Sequence, residues 1–330
     1  MTIKTLHWGL LSTARINRAL IPPLQASKRN RLAAVASRSQ SKAEEYARQW
    51  NIPCAYGSYE ALLADPEIDV IYNSLPNSLH AEWTIRAVQA GKNVLCEKPL
   101  AISTAEVDAV AAAAQAQGKI VAEAFMYRHH PQTLKVKELV DSGAIGEIRL
   151  VRGAFTFNIS NSSDVRLNPQ LSGGSIWDVG CYPLSYIRYI AGCEPEEVFG
   201  WQVTGSSGVD EVFTAQMRFP GGMLAQFDSG FRSNFRTQME FTGSQGVIMV
   251  SSPFKPDARE KILLRRGDEE QAVRVRGPAL LYSGEVEDMA DAVLLGKPQR
   301  ISLADSRANV SAITALLLSA KEGRPVSLKT

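Results

Sequence analysis

The sequence predicts an α/β protein in two parts: a doubly wound parallel sheet over residues 1–125, then an α/β domain with a large, mostly antiparallel, open-faced sheet over residues 126–330. Three observations predict it. Through the first ~125 residues short apolar runs alternate with helical stretches of about ten to fifteen residues, a rhythm that builds right-handed βαβ crossovers. Beyond about residue 126, longer runs of alternating apolar and polar residues take over, as in antiparallel strands with one solvated face. The length, 330 residues, accommodates two domains at roughly 150 residues each.

Leu6 to Leu11 reads as the first strand. Arg15 to Ala26 has helical spacing, with Ile16, Ala19 and Leu20 on one side. Leu32 to Ala36 is a buried strand, and Lys42 to Trp50 a helix with Ser41 as its candidate cap. Asp69 to Asn73 is a strand that stops at Leu75-Pro76, and Ser78 to Ala90 an amphipathic helix closed by Gly91. Val94-Leu95-Cys96 is a strand, Thr104 to Gln117 an alanine-rich helix ending at Gly118, and Ile120-Val121-Ala122 another strand. In the second half Leu134 to Asp141 is helical. Strands are expected over Ile148 to Phe157, Val212 to Phe219, Met223 to Asp228 and Thr237 to Phe241, with Gly221-Gly222 as a hairpin turn. A helix from roughly Asp178 to Ala191 interrupts them, and Glu285 to Leu294 and Leu303 to Ala320 are helical. The C-terminal helix is a candidate to pack back on the first domain, and a partner subunit is a candidate cover for the open sheet face.

Composition excludes several classes. The net charge is +2, with 36 basic against 34 acidic side chains, which offers no electrostatic case for nucleic acid or an anionic membrane. Cys54, Cys96, Cys181 and Cys193 form no C-x-x-C pair and read as reduced thiols of a cytoplasmic protein. His7, His80, His129 and His130 lack H-E-x-x-H spacing, so no metal site is expected. The N-terminus lacks the apolar core of a signal peptide, and no apolar run approaches the ~20 residues that span a bilayer.

The strand–turn–helix at the N-terminus is where a dinucleotide fingerprint belongs, yet G-x-G-x-x-G is absent. Ser12 and Ala14 occupy the two tight-turn positions and Asn17 the third. Small residues still let a backbone approach a pyrophosphate at a helix N-terminus, so Ser12, Thr13, Ala14, Arg15 and Ile16 are the expected cradle. Alternatively, Ser12 simply caps the helix. The second strand ends at Ser37-Arg38-Ser39, where NAD-selective folds place an acid on the ribose 2′-hydroxyl. A guanidinium flanked by hydroxyls instead binds a 2′-phosphate. Ser37 and Arg38 therefore predict NADP(H) as the preferred cofactor, with NAD(H) second; the competing reading of Arg38 is a surface residue opening the next helix. Leu75, Pro76 and Asn77, followed by His80, are expected along the cofactor's path, although a capped helix start explains Asn77 equally well.

Cys96-Glu97-Lys98-Pro99 ends a buried strand and delivers a lysine to the carboxyl edge of the sheet, where ligands bind in open α/β folds. Pro99 biases Lys98 toward an extended backbone. The bland alternative is a strand-end lysine facing water. In Gly173-Gly174-Ser175-Ile176-Trp177-Asp178-Val179-Gly180-Cys181-Tyr182-Pro183, Asp178 and Tyr182 are four apart, which places them on one helix face. The two glycines permit close approach of a ligand or strand. Oxidising a secondary alcohol needs a base for the proton. A tyrosine near pKa ~10 serves once an ammonium favours its phenolate, so Lys98 is expected to meet Tyr182 over the nicotinamide, with Asp178 orienting a substrate hydroxyl. The alternative for Tyr182 is a half-buried aromatic on an amphipathic helix. Tyr127 and Arg128, at the domain junction, are candidates for lining the cofactor or substrate pocket. Arg232 and Arg236 are candidate substrate contacts or else a solvated strand face.

Taken together, Glu97-Lys98-Pro99, Glu123-Ala124-Phe125 and the Gly173-to-Tyr182 stretch, in this order and spacing, resemble the glucose–fructose oxidoreductase (Gfo/Idh/MocA) family across essentially the whole chain. The chain looks most like the NADP-dependent branch of aldose and dihydrodiol dehydrogenases. The resemblance implies a Rossmann domain followed by an α/β sheet domain. It maps the family's lysine onto Lys98, its catalytic tyrosine onto Tyr182 and its aspartate onto Asp178, and places Glu97 beside the cofactor. It also implies a homodimer or homotetramer formed through the sheet face. Most relatives carry glycine where this chain has Ser12 and Ala14. The expected activity is hydride transfer between NADP(H) and a hydroxyl-bearing carbon of a sugar or cyclic polyol. A cofactor-retaining epimerase or glycosidase and a nucleotide-sensing regulator are the alternatives.

Overall fold

The structure is a computed structural model that describes residues 5–328. The chain forms two compact units: the described residues up to Met126 together with Leu280–Arg307, and Tyr127–Ala279 together with the chain from Ala308 onward. A C-terminal domain running unbroken over residues 126–330 is therefore corrected. The segment 280–307 belongs with the first unit, where Arg29 grips the helix Ser283–Leu295 through Glu287 and Asp291, each at 2.5 Å.

In the first unit, β1 (Leu6–Leu11), β2 (Asn30–Ala36), β3 (Cys54–Tyr56), β4 (Val70–Asn73), β5 (Asn93–Glu97) and β6 (Val121–Ala124) form one sheet in the order β3-β2-β1-β4-β5-β6. Every pairing is parallel, and the order reverses between β1 and β4, the switch point where such sheets bind ligands. The strands are short and buried because α1 (Asn17–Ala26), α2 (Gln40–Trp50), α3 (Tyr59–Ala64), α4 (His80–Gln89) and α5 (Thr104–Gln117) connect them. α5 starts at Ser103, whose side chain accepts from Glu106 N, and stops at left-handed Gly118. α2 begins two residues earlier than expected: Ser39, not Ser41, sits at its N-cap with extended backbone. β3 and α3 went unread in the sequence because a three-residue strand carries no periodicity.

In the second unit, α6 (Pro131–Asp141) and α7 (Cys181–Ala191) accompany a nine-stranded sheet. Its strands are β7 (Ile148–Asn158), β8 (Glu197–Thr204), β9 (Asp210–Arg218), β10 (Leu224–Gly230), β11 (Arg232–Gly243), β12 (Val247–Val250), β13 (Arg259–Arg266), β14 (Glu269–Arg276) and β15 (Val326–Ser327). The order is β14-β13-β12-β11-β7-β10-β9-β8-β15, antiparallel except where β10 runs parallel to β7. One face is packed: Phe213, Ala215 and Met217 on β9 and Ala225 and Phe227 on β10 are buried, while the residues between them are exposed. α7 lies close to this sheet because Gly153 has no side chain: a Cβ there would come within 2.8 Å of both Pro183 Cβ and Met239 Sδ.

Candidate functional site

The nucleotide half lies at the carboxyl ends of β1, β2, β4 and β5. Ser12, directly after β1, has φ +97, a left-handed value that suits glycine. Its hydroxyl receives Ala14 N at 3.2 Å and contacts Ser74 Oγ at 3.1 Å, while Asn17 Nδ2 bonds the Ser12 carbonyl at 2.9 Å. Asn17, at the third fingerprint position, is fully buried and braces the turn from beneath. Thr13, Ala14 and Ile16 are half-buried and Arg15 is exposed. No acidic residue occupies the first turn of α1 and no side chain caps it. That leaves a helix N-terminus suited to a pyrophosphate. Ser37 is buried at the end of β2 and Arg38 beyond it is exposed. The residues therefore fit a dinucleotide, with a cation in place of the acid that would repel a 2′-phosphate.

Lys98 follows β5 directly and is half-buried, and the Lys98–Pro99 peptide is cis. The corner is pinned twice. Leu100 N donates to Glu123 Oε1 at 2.9 Å, and His80 Nδ1 lies 2.6 Å from the Pro99 carbonyl. His80 Nε2 meets the Leu75 carbonyl at 2.7 Å. His80 is thus a buried strut joining the 75–77 and 98–100 segments, the two segments expected along the cofactor's path. Burial pushes it down to about 4, aided by the Lys98 charge and opposed by the two carbonyl contacts. Leu75 is also buried, whereas Pro76 and Asn77 are half-buried.

Glu97 is buried, and Tyr72 donates its hydroxyl to it. Nearby Glu285 is 1 % exposed with both carboxyl oxygens lacking hydrogen bonds. Burial, reinforced by Glu97, pushes its carboxyl far above the usual range. No local pattern marks this acid, because one glutamate in an amphipathic helix has no distinguishing spacing.

The second unit holds the other candidates. Ile176–Gly180 is a π-helical turn leading into α7, so Asp178 sits in the wide turn and Tyr182 at the start of the helix. Tyr182 is 5 % exposed and packs edge-on to Phe155, with ring centroids 5.5 Å apart, and tilted against Phe254 at 5.6 Å and Tyr127 at 5.8 Å. This aromatic nest holds the phenol ring in one orientation. Tyr127 and Arg128, expected to line the cofactor or substrate pocket, are buried. Tyr127 lies under Tyr182 and Tyr186, and Arg128 bonds Ser185 Oγ at 3.2 Å with its guanidinium carbon 4.0 Å from the Tyr189 ring centroid. Their role is to support α7.

The π turn is capped from β9. Buried Asp210 accepts from Ser175 Oγ at 2.7 Å and Ile176 N at 2.8 Å. Desolvation raises its carboxyl to about 6 against these hydrogen bonds. The close approach allowed by the glycine pair is to the protein itself. A Cβ on Gly173 would collide with the Arg166 carbonyl, and one on Gly174, at φ +120, with Asp210. Asp178 is engaged by Arg166 Nε at 2.7 Å. Arg232 and Arg236 pair with Glu211 and Asp228 on an exposed strand surface, as the solvated-face reading expects.

Comparison with known proteins agrees with this organisation. Residues 6–125 match the oxidoreductase family with an NAD-binding Rossmann fold, and residues 133–249 match the GFO/IDH/MocA C-terminal domain. A D-xylose 1-dehydrogenase (NADP(+)) of Haloferax volcanii is 36% identical over 325 residues, covering 97% of this chain and 99% of its own. The trans-1,2-dihydrobenzene-1,2-diol dehydrogenase of Mus musculus is 32% identical over 76% of each chain. A 3-ketoreductase from Actinomadura kijaniata, solved with NADP and TDP-benzene, superposes with TM-score 0.91 at 29% identity over 96% of this chain and 98% of its own. An aldose–aldose oxidoreductase from Caulobacter crescentus, solved with glycerol, gives TM-score 0.91 at 29% identity over 98% and 100%. With both domains matched and near-complete coverage of its relatives, the chain belongs to the GFO/IDH/MocA family of oxidoreductases.

Proposed function

We propose that the protein is an NADP-dependent dehydrogenase or reductase acting on a CH–OH or carbonyl carbon of a sugar or related cyclic polyol. The observation that carries this reading is the full-length likeness to an NADP-dependent xylose dehydrogenase, joined to Ser37-Arg38 at the end of β2, where no acid stands. Ser12, Thr13, Ala14, Arg15 and Ile16 hold the pyrophosphate, Ser37 and Arg38 the 2′-phosphate, and Pro76, Asn77 and Glu97 line the rest of the cofactor's path. The bound nicotinamide supplies hydride exchange. Tyr182 exchanges the proton with the reacting oxygen, and Lys98 stabilises the negative charge that develops there. Asp178 holds a substrate hydroxyl. The aromatic nest restrains the Tyr182 ring, so little reorganisation accompanies the proton step.

The test is a kinetic cycle on NADP-linked oxidation of D-xylose and of a trans-dihydrodiol. Tyr182→Phe and Lys98→Met each lower kcat by about 10²-fold or more. The double variant is no worse than the poorer single one, as for groups acting on one oxygen. Full additivity refutes the shared role, and absence of nicotinamide turnover across aldoses, ketoses and cyclic diols refutes the activity. Arg38→Asp reverses the NADP preference.

We further assign a homo-oligomer built on the open sheet face, where Trp201 is 64% and Leu224 51% exposed. A cytoplasmic setting fits the four free thiols. Among the described residues no helix is long and apolar enough to cross a membrane.

A further inference from the structure

The loop between β7 and the π turn carries a charged trio. Arg166 donates from Nε to Asp178 Oδ2 at 2.7 Å and from Nη1 to Asp164 Oδ1 at 3.3 Å, and its guanidinium carbon lies 5.9 Å from the Phe157 ring centroid. Main-chain bonds set this geometry. Gly174 N donates to the Arg166 carbonyl at 2.9 Å, and Asp178 N to the Gly174 carbonyl at 3.1 Å. The Asp164 carboxylate accepts from Arg166 N at 3.0 Å. The Arg166 backbone is therefore keyed to the same glycine that starts the turn bearing Asp178. Its side chain is 43% exposed, and Nη2 makes no hydrogen bond among the described residues.

We infer that Arg166 and Asp178 act as one donor–acceptor unit that reads two adjacent hydroxyls of the substrate, making Arg166 a specificity residue for vicinal diols. The inference rests on the reading of Asp178 as a substrate-facing residue. Two courses are open to an incoming hydroxyl: to displace Arg166 from Asp178, or to share the pair. Displacement gives up the bond between opposite charges at 2.7 Å, whereas sharing keeps it and adds a hydroxyl bond to the same carboxylate, so sharing is favoured. A carboxylate has about four lone-pair positions, enough to accept from Nε and from a hydroxyl together, and Nη2 carries two N–H donors. One hydroxyl donates to Asp178 while its neighbour accepts from Nη2. The trio of one cation and two carboxylates has net charge −1, which suits a neutral polyol and disfavours a sugar acid or sugar phosphate.

The experiment measures calorimetric binding of D-xylose and its 2-, 3- and 4-deoxy derivatives to the NADP-loaded protein, as wild type and as Arg166→Leu, Arg166→Gln and Arg166→Lys. Wild type is expected to bind D-xylose about tenfold more tightly than at least one deoxy derivative. In Arg166→Leu that ratio falls below about twofold, and Lys or Gln, which keep a donor, restore part of it. A merely structural arginine would weaken all four sugars alike. An unchanged ratio in Arg166→Leu, uniform weakening, equal binding of all four sugars by wild type, or no binding at all overturns the inference. Discriminating binding without turnover would defeat the dehydrogenase reading while leaving this one intact.

Discussion

At the residue scale, Ser12 joins two opposed effects. A serine at φ +97 carries backbone strain on the order of 1–3 kcal/mol. Its hydroxyl returns part of that by receiving Ala14 N and contacting Ser74. Ser12→Gly removes the strain and the bonds together, whereas Ser12→Ala removes the bonds and keeps the strain. The alanine variant is therefore expected to be less stable than the glycine variant by about 1 kcal/mol in thermal unfolding; the reverse order would show that the turn is relaxed. Glu285 offers a second case. Its buried carboxyl has no hydrogen bonds and is raised well above its ordinary range, so the native state holds the proton more tightly than the unfolded chain does. Stability then falls as pH rises from its unfolded value toward the raised one. Glu285→Gln abolishes this loss and is expected to melt higher than wild type at pH 8, by more than at pH 5. A constant difference across that range would mean that Glu285 titrates normally.

At the scale of elements, the contrast between what could be read and what could not is physical. Helices such as Thr104–Gln117 were legible to the residue because a cap, a run of alanines and a terminal glycine all agree. The strand pattern of β7 was legible as well. β8 and β12–β14 were not recovered: β8 turns from a buried to an exposed row partway along, and β14 is exposed along most of its length. Lys98, Asp178 and Tyr182 were singled out through their motif. Asp210 was not, since its partners, Ser175 and Ile176, are 35 and 34 residues away and no local spacing encodes such a cap. The glycine pair was read as room for a ligand or a strand, and it is Asp210 of β9 and the Arg166 main chain that approach it. The cap has a pH signature. Asp210 is raised to about 6 from 3.8 by desolvation. Its contribution is therefore greatest below the unfolded value and is lost as pH rises through about 6, a change on the order of 3 kcal/mol. Asp210→Asn should flatten this slope in denaturant titrations between pH 4 and pH 7 while loosening the 175–180 turn in amide exchange. Parallel pH profiles for the two proteins would rule out the assignment.

For the molecule as a whole, the decisive surface is the uncovered side of the nine-stranded sheet. Phe199, Trp201 and Val203 alternate along β8 on one side, and Trp201 pairs in register with Thr214 of β9, which pairs in turn with Asp228 of β10. Trp201 and Val203 are 64% and 51% exposed, and Phe199 stacks edge-on to Trp201 at 5.3 Å. The opposite side is buried along β9 and β10 and at Val198 and Gly200 of β8, whereas Gln202 and Thr204 at the end of β8 are exposed. Burying a large apolar side chain contributes about 1.5–3 kcal/mol, and a two-fold axis would use each such residue twice. Thr214, Gln216 and Gln226 on this face are uncharged, while Arg218, Asp228 and the Arg152–Glu240 pair carry its charge. Trp201→Glu puts a carboxylate in the middle of that row. It is expected to shift the light-scattering mass of the protein from dimer or tetramer to monomer at micromolar concentration. Arg266→Glu, on β13 near the far edge of the sheet, serves as a charge-reversal control and is expected to leave the mass unchanged. A wild-type protein that is already monomeric under those conditions, or a Trp201→Glu variant of undiminished mass, would remove the sheet face as the assembly surface.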